Sequence, residues 1–345
     1  MQIFWGRESA SWKALFVTVL GILTGVACCD DGQAAGGPTP IRIGYSPGVC
    51  NASLFVAYEK NFFQAEGLAP QMIQVDAAHI SEAVGAGQVD VFQGLASKLV
   101  QPLDNGLPAK VVLGLHTGCI KVLVPKNSPI RSVADLKGKR IGVPGLADAG
   151  CIVTRRALHR EGINVADRKL EVEFAVFGRN DLVQALDKGA VDAIAVGDPV
   201  GAIAVQQYGL RVLIDTAVTP PFDQEYCCIA LVATKLARKD PQTAAAVVRA
   251  LAKASLWVQK HPREAAQLEL EKKYVAGNIE LNTALLQSYN FNPSVTGGYD
   301  ALRAVAQELA RIGIIDEKID GEQFAKEHFV RFAGVPDRVA ETEVN

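Results

Sequence analysis

The chain runs to 345 residues, 49% hydrophobic and 21% charged, and its 35 Lys and Arg against 37 Asp and Glu leave a formal net charge of −2. That composition supports a soluble fold of one to three domains with a sizeable core. It offers no basic face, which excludes nucleic acid as a partner class.

The N-terminal stretch reads as addressing rather than folding. Arg7 and Lys13 precede an uncharged apolar run over 14–27 (ALFVTVLGILTGVA), short for a bilayer span and of the right length for the core of an export signal. Residues 1–27 are therefore expected to be a signal peptide, with a lone transmembrane anchor as the competing reading. Gly25-Val26-Ala27-Cys28 resembles a bacterial lipoprotein cleavage box, although Gly25 stands where that box usually has Leu, and makes Cys28 the candidate lipidation site. Residues 28–40 (CCDDGQAAGGPTP) cannot bury a face and predict a flexible tether.

From there strands and helices alternate. The stretch 41–50 (IRIGYSPGVC) predicts a strand that breaks at Pro47-Gly48 and reaches Cys50. Helices are expected over 54–65, 80–86 and 97–105, and strands over 72–75, 89–93, 110–115 and 121–125. His116-Thr117-Gly118-Cys119 forms a turn of small and polar residues at a strand end. After a connector over 127–138, the stretch 139–151 (KRIGVPGLADAGC) repeats the pattern of 41–50: a strand, a Pro144-Gly145 break, and a helix start at a cysteine. Backbone N–H groups at that helix start are expected to face outward, as a place to hold a ligand.

The echo extends further. Ala83-x-x-x-Gly87-x-Val89-Asp90 matches Ala185-x-x-x-Gly189-x-Val191-Asp192, each a glycine-closed helix end leading into a buried strand. Two matches, in the same order and at similar separation, predict an internal repeat. Helices over 152–161, 180–188 and 200–207 and strands over 171–175, 192–196 and 211–215 complete the second copy. The apolar run 225–234 (EYCCIALVAT) is read as a strand returning beside the first half, and amphipathic helices follow from 240.

These elements predict an α/β chain of two lobes, each a mostly parallel sheet flanked by helices. The expected boundaries are 41–126 with 225–335 for the first lobe, 127–224 for the second, and 336–345 for a tail. Two crossings between lobes restrict them to a hinge-like motion.

The run Asp135-Leu136-Lys137-Gly138-Lys139-Arg140-Ile141-Gly142-Val143-Pro144-Gly145 resembles the D-L-K-G-K-x-h-G-V-P-G signature of solute-binding proteins of nitrate, sulfonate and taurine type ABC importers, within the NMT1/THI5-like periplasmic-binding superfamily. Phe63-x-x-Glu66-Gly67-Leu68, Gly87-x-Val89-Asp90, Gly189-x-Val191-Asp192 and Gly313-Ile314-Ile315 fit the same pattern, and the resemblance covers residues 41–335. It implies a type II periplasmic-binding-protein fold closing on a small molecule. It also implies a monomer in the periplasm or on the outer face of the inner membrane, an ABC permease as partner, and no catalysis. A rival from the same fold is the enzyme that makes the thiamine pyrimidine, whose iron-associated cysteine-rich stretch Tyr226-Cys227-Cys228-Ile229 faintly resembles.

Ligands of open parallel sheets sit beyond the carboxyl ends of the strands. The residues expected to line such a cleft are Tyr45, Cys50, Asn51, His116, Cys119, Gly150, Cys151, Asp198 and Tyr226. Asp198 also reads as a cap for the helix after Pro199, His116 as a structural residue, and the two tyrosines as core. The loops in which similar proteins offer Ser, Thr, Gly or a basic residue to an oxyanion here hold cysteines. Three readings stand side by side for Cys50, Cys119, Cys151, Cys227 and Cys228: small fillers or disulfides; thiolate ligands for a soft metal ion, a metal complex or an iron–sulfur cluster; or weak polar contacts to an ordinary oxyanion. Since adjacent strand residues point to opposite faces, one of Cys227 and Cys228 is expected to reach the cleft.

Overall fold

The computed structural model describes residues 37–76, 79–166 and 169–344. The expected signal peptide, Cys28 and most of the tether lie outside them. Among the described residues no helix is long and apolar enough to cross a membrane.

The chain begins with β1 (Thr39–Tyr45), α1 (Ala52–Glu59), α2 (Phe62–Ala65), β2 (Leu68–Gln74), α3 (Ile80–Gly85), β3 (Val91–Leu95), α4 (Ala96–Asp104) and β4 (Ala109–His116). It continues with β5 (Ile120–Val124), β6 (Arg140–Val143), α5 (Ala149–Arg160), β7 (Glu173–Val176), α6 (Leu182–Asp187), β8 (Ala193–Gly197), α7 (Val200–Tyr208) and β9 (Arg211–Asp215). It closes with β10 (Cys228–Ala233), α8 (Thr234–Lys239), α9 (Pro241–Lys260), α10 (Pro262–Glu271), α11 (Ile279–Ser288), α12 (Val295–Arg311) and α13 (Gly321–His328).

Two five-stranded sheets result, in the orders β2-β1-β3-β10-β4 and β7-β6-β8-β5-β9. In the first, β10 is antiparallel to both neighbours while β1 is parallel to β2 and β3. In the second, β5 takes the opposed role. The reason lies in the connectivity. Strands joined through helices all run toward the same end of their sheet, whereas a strand arriving directly from the other lobe enters at that end and runs away from it. Each lobe is thus mostly parallel, with one strand reversed where the chain crosses over.

One expectation needs correction. The expected boundaries put the strand at 121–125 in the first lobe, but β5 is paired in the second sheet, so the first crossing lies at 117–119 rather than at 127. The second crossing, between β9 and β10, falls within 216–227.

The internal repeat has a hydrogen-bonding basis. In the first lobe the Arg42 amide donates to Asp90 Oδ2 (3.0 Å) and the Asp90 amide donates back to the Arg42 carbonyl (2.9 Å). In the second, the Arg140 amide donates to Asp192 Oδ2 (2.8 Å) and the Asp192 amide to the Arg140 carbonyl (2.8 Å). The equivalent Asp therefore fastens β1 to the turn before β3 in one lobe and β6 to the turn before β8 in the other. Gly44 is needed for close packing: a Cβ there would stand 2.8 Å from Val89 Cγ1 and 2.9 Å from Ile80 Cδ1.

A charged cluster joins the lobes behind the crossings. Arg156 of α5 reaches Glu225 in the second crossing (2.7 Å) and Glu308 of α12 (2.5 Å), with its side chain 3% exposed. Arg160 adds a second contact to Glu308 at 2.8 Å. Because α12 packs on β4 of the first lobe, these pairs tie together both lobes and one crossing.

Candidate functional site

The carboxyl ends of β1, β2 and β3 face those of β6, β7 and β8 across a cleft of about 810 Å³. From the first lobe come Ser46, Cys50, Asn51 and Lys98; from the second, Asp148, Arg179 and Asp198; and at the base lies Cys119 of the first crossing. A recess of about 290 Å³ adjoins it and is lined by Tyr45, Cys50, Asn51, Lys98, Arg179 and Cys228 among others.

Local structure fixes the loop after β1. Asn51 Nδ2 donates to the Ser46 carbonyl (2.7 Å), closing the Pro47-Gly48 turn on itself. The Cys50 carbonyl accepts from Gln93 Nε2 (2.5 Å) and lies 3.0 Å from His116 Nε2. His116 Nδ1 lies 2.8 Å from the Thr117 carbonyl, and the ring stacks on Tyr289 and tilts against Phe291. Both ring nitrogens thus face carbonyl oxygens, an arrangement that only the imidazolium satisfies with two donors. Burial works against that charge, but the Cys228 thiolate and the two carbonyls outweigh it and hold the His116 pKa above its ordinary value. His116 therefore supports the Cys50 loop from below and has no lone pair to offer a ligand.

The sulfur atoms converge at the cleft base. Cys50, Cys119 and Cys228 place their Sγ atoms within 4.8 Å of one another. Cys119 Sγ also lies 3.0 Å from Cys227 Sγ, and no disulfide joins the described cysteines. Cys119 adopts φ of +95° directly after Gly118 at +86°. A non-glycine residue held there is uncommon, and such conformations gather at functional sites. Burial alone would raise the Cys228 thiol, yet hydrogen bonds from Cys119, Cys227 and Cys50 and the charge of His116 lower it well below its usual value. Burial, followed by hydrogen bonding to Cys227 and Cys228, pushes Cys119 up instead. Within the group, Cys228 is therefore the sulfur whose proton is held least tightly.

Of Cys227 and Cys228, only Cys228 belongs to this group and lines the recess, as expected of one of the pair, while Cys227 touches Cys119 without lining the cleft or the recess. Cys227 precedes β10, so strand alternation does not govern it. Cys151 does not come to the group. It is fully buried in the first turn of α5, whose Gly150 lies so close to β8 that a Cβ would stand 2.6 Å from the Ala195 carbonyl oxygen. The Gly150 amide donates to Asp148 Oδ1 (3.0 Å), so this helix start is capped by its own chain rather than turned outward. The expectation that Cys151 could join the thiolate ligands is thus not met.

Asp198 is committed internally. Its Oδ1 accepts from the Ala202 amide (3.0 Å), which caps α7, while Oδ2 accepts from Lys121 Nζ (2.7 Å) and Tyr289 Oη (2.9 Å). Tyr45 borders the recess and packs edge-on against Phe55 and Tyr274. Tyr226 lies away from the cleft, over Gly297 and Gly114, and its hydroxyl donates to the Asn292 carbonyl. Two cleft cations escaped the sequence reading: Lys98 in the first turns of α4, and Arg179, which pairs with Asp148 at 3.2 Å. Each follows a strand end, β3 and β7, that could have been inspected on the same rule as the others.

Comparison with known proteins places this architecture. The model of the family described as NMT1/THI5 like matches residues 51–265. The chain belongs to the NMT1/THI5-like family. One relative, a Haemophilus influenzae protein named for thiamine biosynthesis, is 32% identical over 246 residues, covering 69% of this chain and 73% of its own length. Another, a Bacillus subtilis protein named for aliphatic sulfonate binding, is 26% identical over 336 residues, 93% of this chain and 96% of its own. Among solved structures, the periplasmic aliphatic sulphonate binding protein of Escherichia coli superposes with a TM-score of 0.69 at 20% identity, over 83% of this chain and 97% of that one. This NMT1/THI5-like chain thus has the two-lobed periplasmic-binding-protein fold.

Proposed function

We propose that this chain is the exported, membrane-tethered receptor of an ABC importer. It captures a small solute between its lobes and presents the closed form to a permease in the inner membrane. The observation that carries this reading is the cleft itself: strand ends of both sheets face one another across about 810 Å³, with two short crossings as the pivot. Full-length similarity to the Bacillus sulfonate-binding relative supports it. The ligand is a small anion of the nitrate, sulfonate or taurine class. Lys98 and Arg179 reach the same cleft from opposite lobes, so an anion between them draws the lobes together, and closure strengthens each contact by excluding water. The protein binds and releases without turnover.

Calorimetry on the exported protein with taurine, methanesulfonate and nitrate tests this. One stoichiometric site for a member of the panel is expected. Heat from none of the three would remove the ligand assignment, and conversion of a bound ligand to product would replace the receptor with an enzyme.

A further inference from the structure

We propose that Cys50, Cys119 and Cys228 form a three-sulfur site at the cleft floor for one soft, thiophilic metal ion, copper(I) being the best-matched chemistry. The site goes beyond the anion receptor, because it uses none of the cations assigned to that role. Three sulfurs around an ion at about 2.3 Å stand about 4 Å apart, and the three Sγ atoms already lie within 4.8 Å of one another. Small adjustments of χ1 complete the geometry.

Three features separate this group from inert core cysteines. First, the ligands come from three separate segments: the loop after β1, the first crossing and the start of β10. Second, an ion can reach them, since Cys50 and Cys119 line the cleft and Cys50 and Cys228 line its recess. Third, they are preorganised: Gln93 and His116 hold the Cys50 carbonyl, and Cys119 is set by a left-handed backbone. Fixed orientation of ligands from outside the coordination sphere is what gives metal sites their affinity.

The donor set chooses the metal. Thiolates select soft ions over oxygen-seeking ones. Zinc prefers four ligands in a tetrahedron, and the remaining sulfur, Cys227, touches Cys119 but lies outside the set whose Sγ atoms are all within 4.8 Å of one another. A three-coordinate ion needs no such fourth ligand. Binding releases to solvent the protons still held on the thiols.

The test is copper(I) titration of the exported protein, stripped of metal, kept reduced and free of oxygen, against the chromophoric chelator bicinchoninate. X-ray absorption then identifies the neighbours of the bound ion. One copper(I) per chain with three sulfur neighbours is expected. Cys50→Ser and Cys228→Ser should each weaken binding at least about a hundredfold, at or beyond the 10–100-fold typical of supporting residues, while Cys151→Ser leaves it unchanged. Absence of competition with the chelator, nitrogen or oxygen neighbours, or equal affinity in the Cys50→Ser/Cys228→Ser protein would overturn the site. Titrating the unsubstituted protein with the anion panel as well separates the two proposals: anion binding with no copper(I) binding rejects this site alone.

Discussion

Single residues in this protein show how burial turns charge into either a fastening or a liability. Arg156 is the fastening. With its guanidinium 3% exposed between Glu225 and Glu308, Arg156→Ala leaves two carboxylates without their main partner, and loss of one member of a buried ion pair costs about 3–5 kcal/mol. Arg160 still reaches Glu308, so the lower end of that range is expected in urea unfolding. A loss under 1 kcal/mol would show the cluster to be solvated.

Glu269 is the liability. It is fully buried, neither carboxylate oxygen has a hydrogen-bond partner, and burial pushes its pKa well above the ordinary value. The folded state therefore holds a proton that the unfolded state gives up above its ordinary pKa near 4.5. Glu269 thus favours folding less as pH rises from that value toward the folded pKa. Glu269→Gln should flatten this decline and raise the urea midpoint at pH 8 more than at pH 5. An equal change at both pH values would mean the carboxyl titrates normally. Sequence could not reveal this residue, because Glu269 sits in a polar-looking helix and its burial comes from distant elements.

At the scale of elements, much of the design was legible and the failures have physical causes. The repeated Arg-x-Gly and Gly-x-Val-Asp motifs were readable because their hydrogen bonds stay within one lobe. The lobe membership of β5 was not, since an apolar run looks the same whichever sheet it joins. Cysteines at Cys50 and Cys119 were found from strand ends, but the same rule misplaced Cys151: which face of α5 meets β8 is set by the approach of Gly150 to Ala195, a contact outside the local pattern. The cleft cations follow from α4 and the turn after β7. Lys98→Ala and Arg179→Ala should each weaken anion binding about tenfold, the loss expected when one charged hydrogen bond of about 1.5 kcal/mol disappears. Isothermal titration with the best anion of the panel checks this. Unchanged affinity in both variants would place the anion elsewhere.

For the whole molecule, two crossings and the Arg156 cluster join the lobes, and the strand ends face each other across the cleft. A solute that touches both lobes is paid for by closing water out of the gap, while the crossings limit the movement to rotation about the hinge. The reversed strands β5 and β10 make this possible: each carries the chain straight from one sheet to the other without a long linker. A thiol group built partly from the crossings places the metal site at the pivot, so an ion there would stiffen the hinge without filling the space between Lys98 and Arg179.

Small-angle X-ray scattering of the protein, with and without a saturating anion from the taurine, methanesulfonate and nitrate panel, tests lobe closure most directly. The radius of gyration is expected to fall on saturation, and to fall less in the Lys98→Ala/Arg179→Ala protein at the same anion concentration. A scattering curve that stays identical at full occupancy would contradict capture between the lobes.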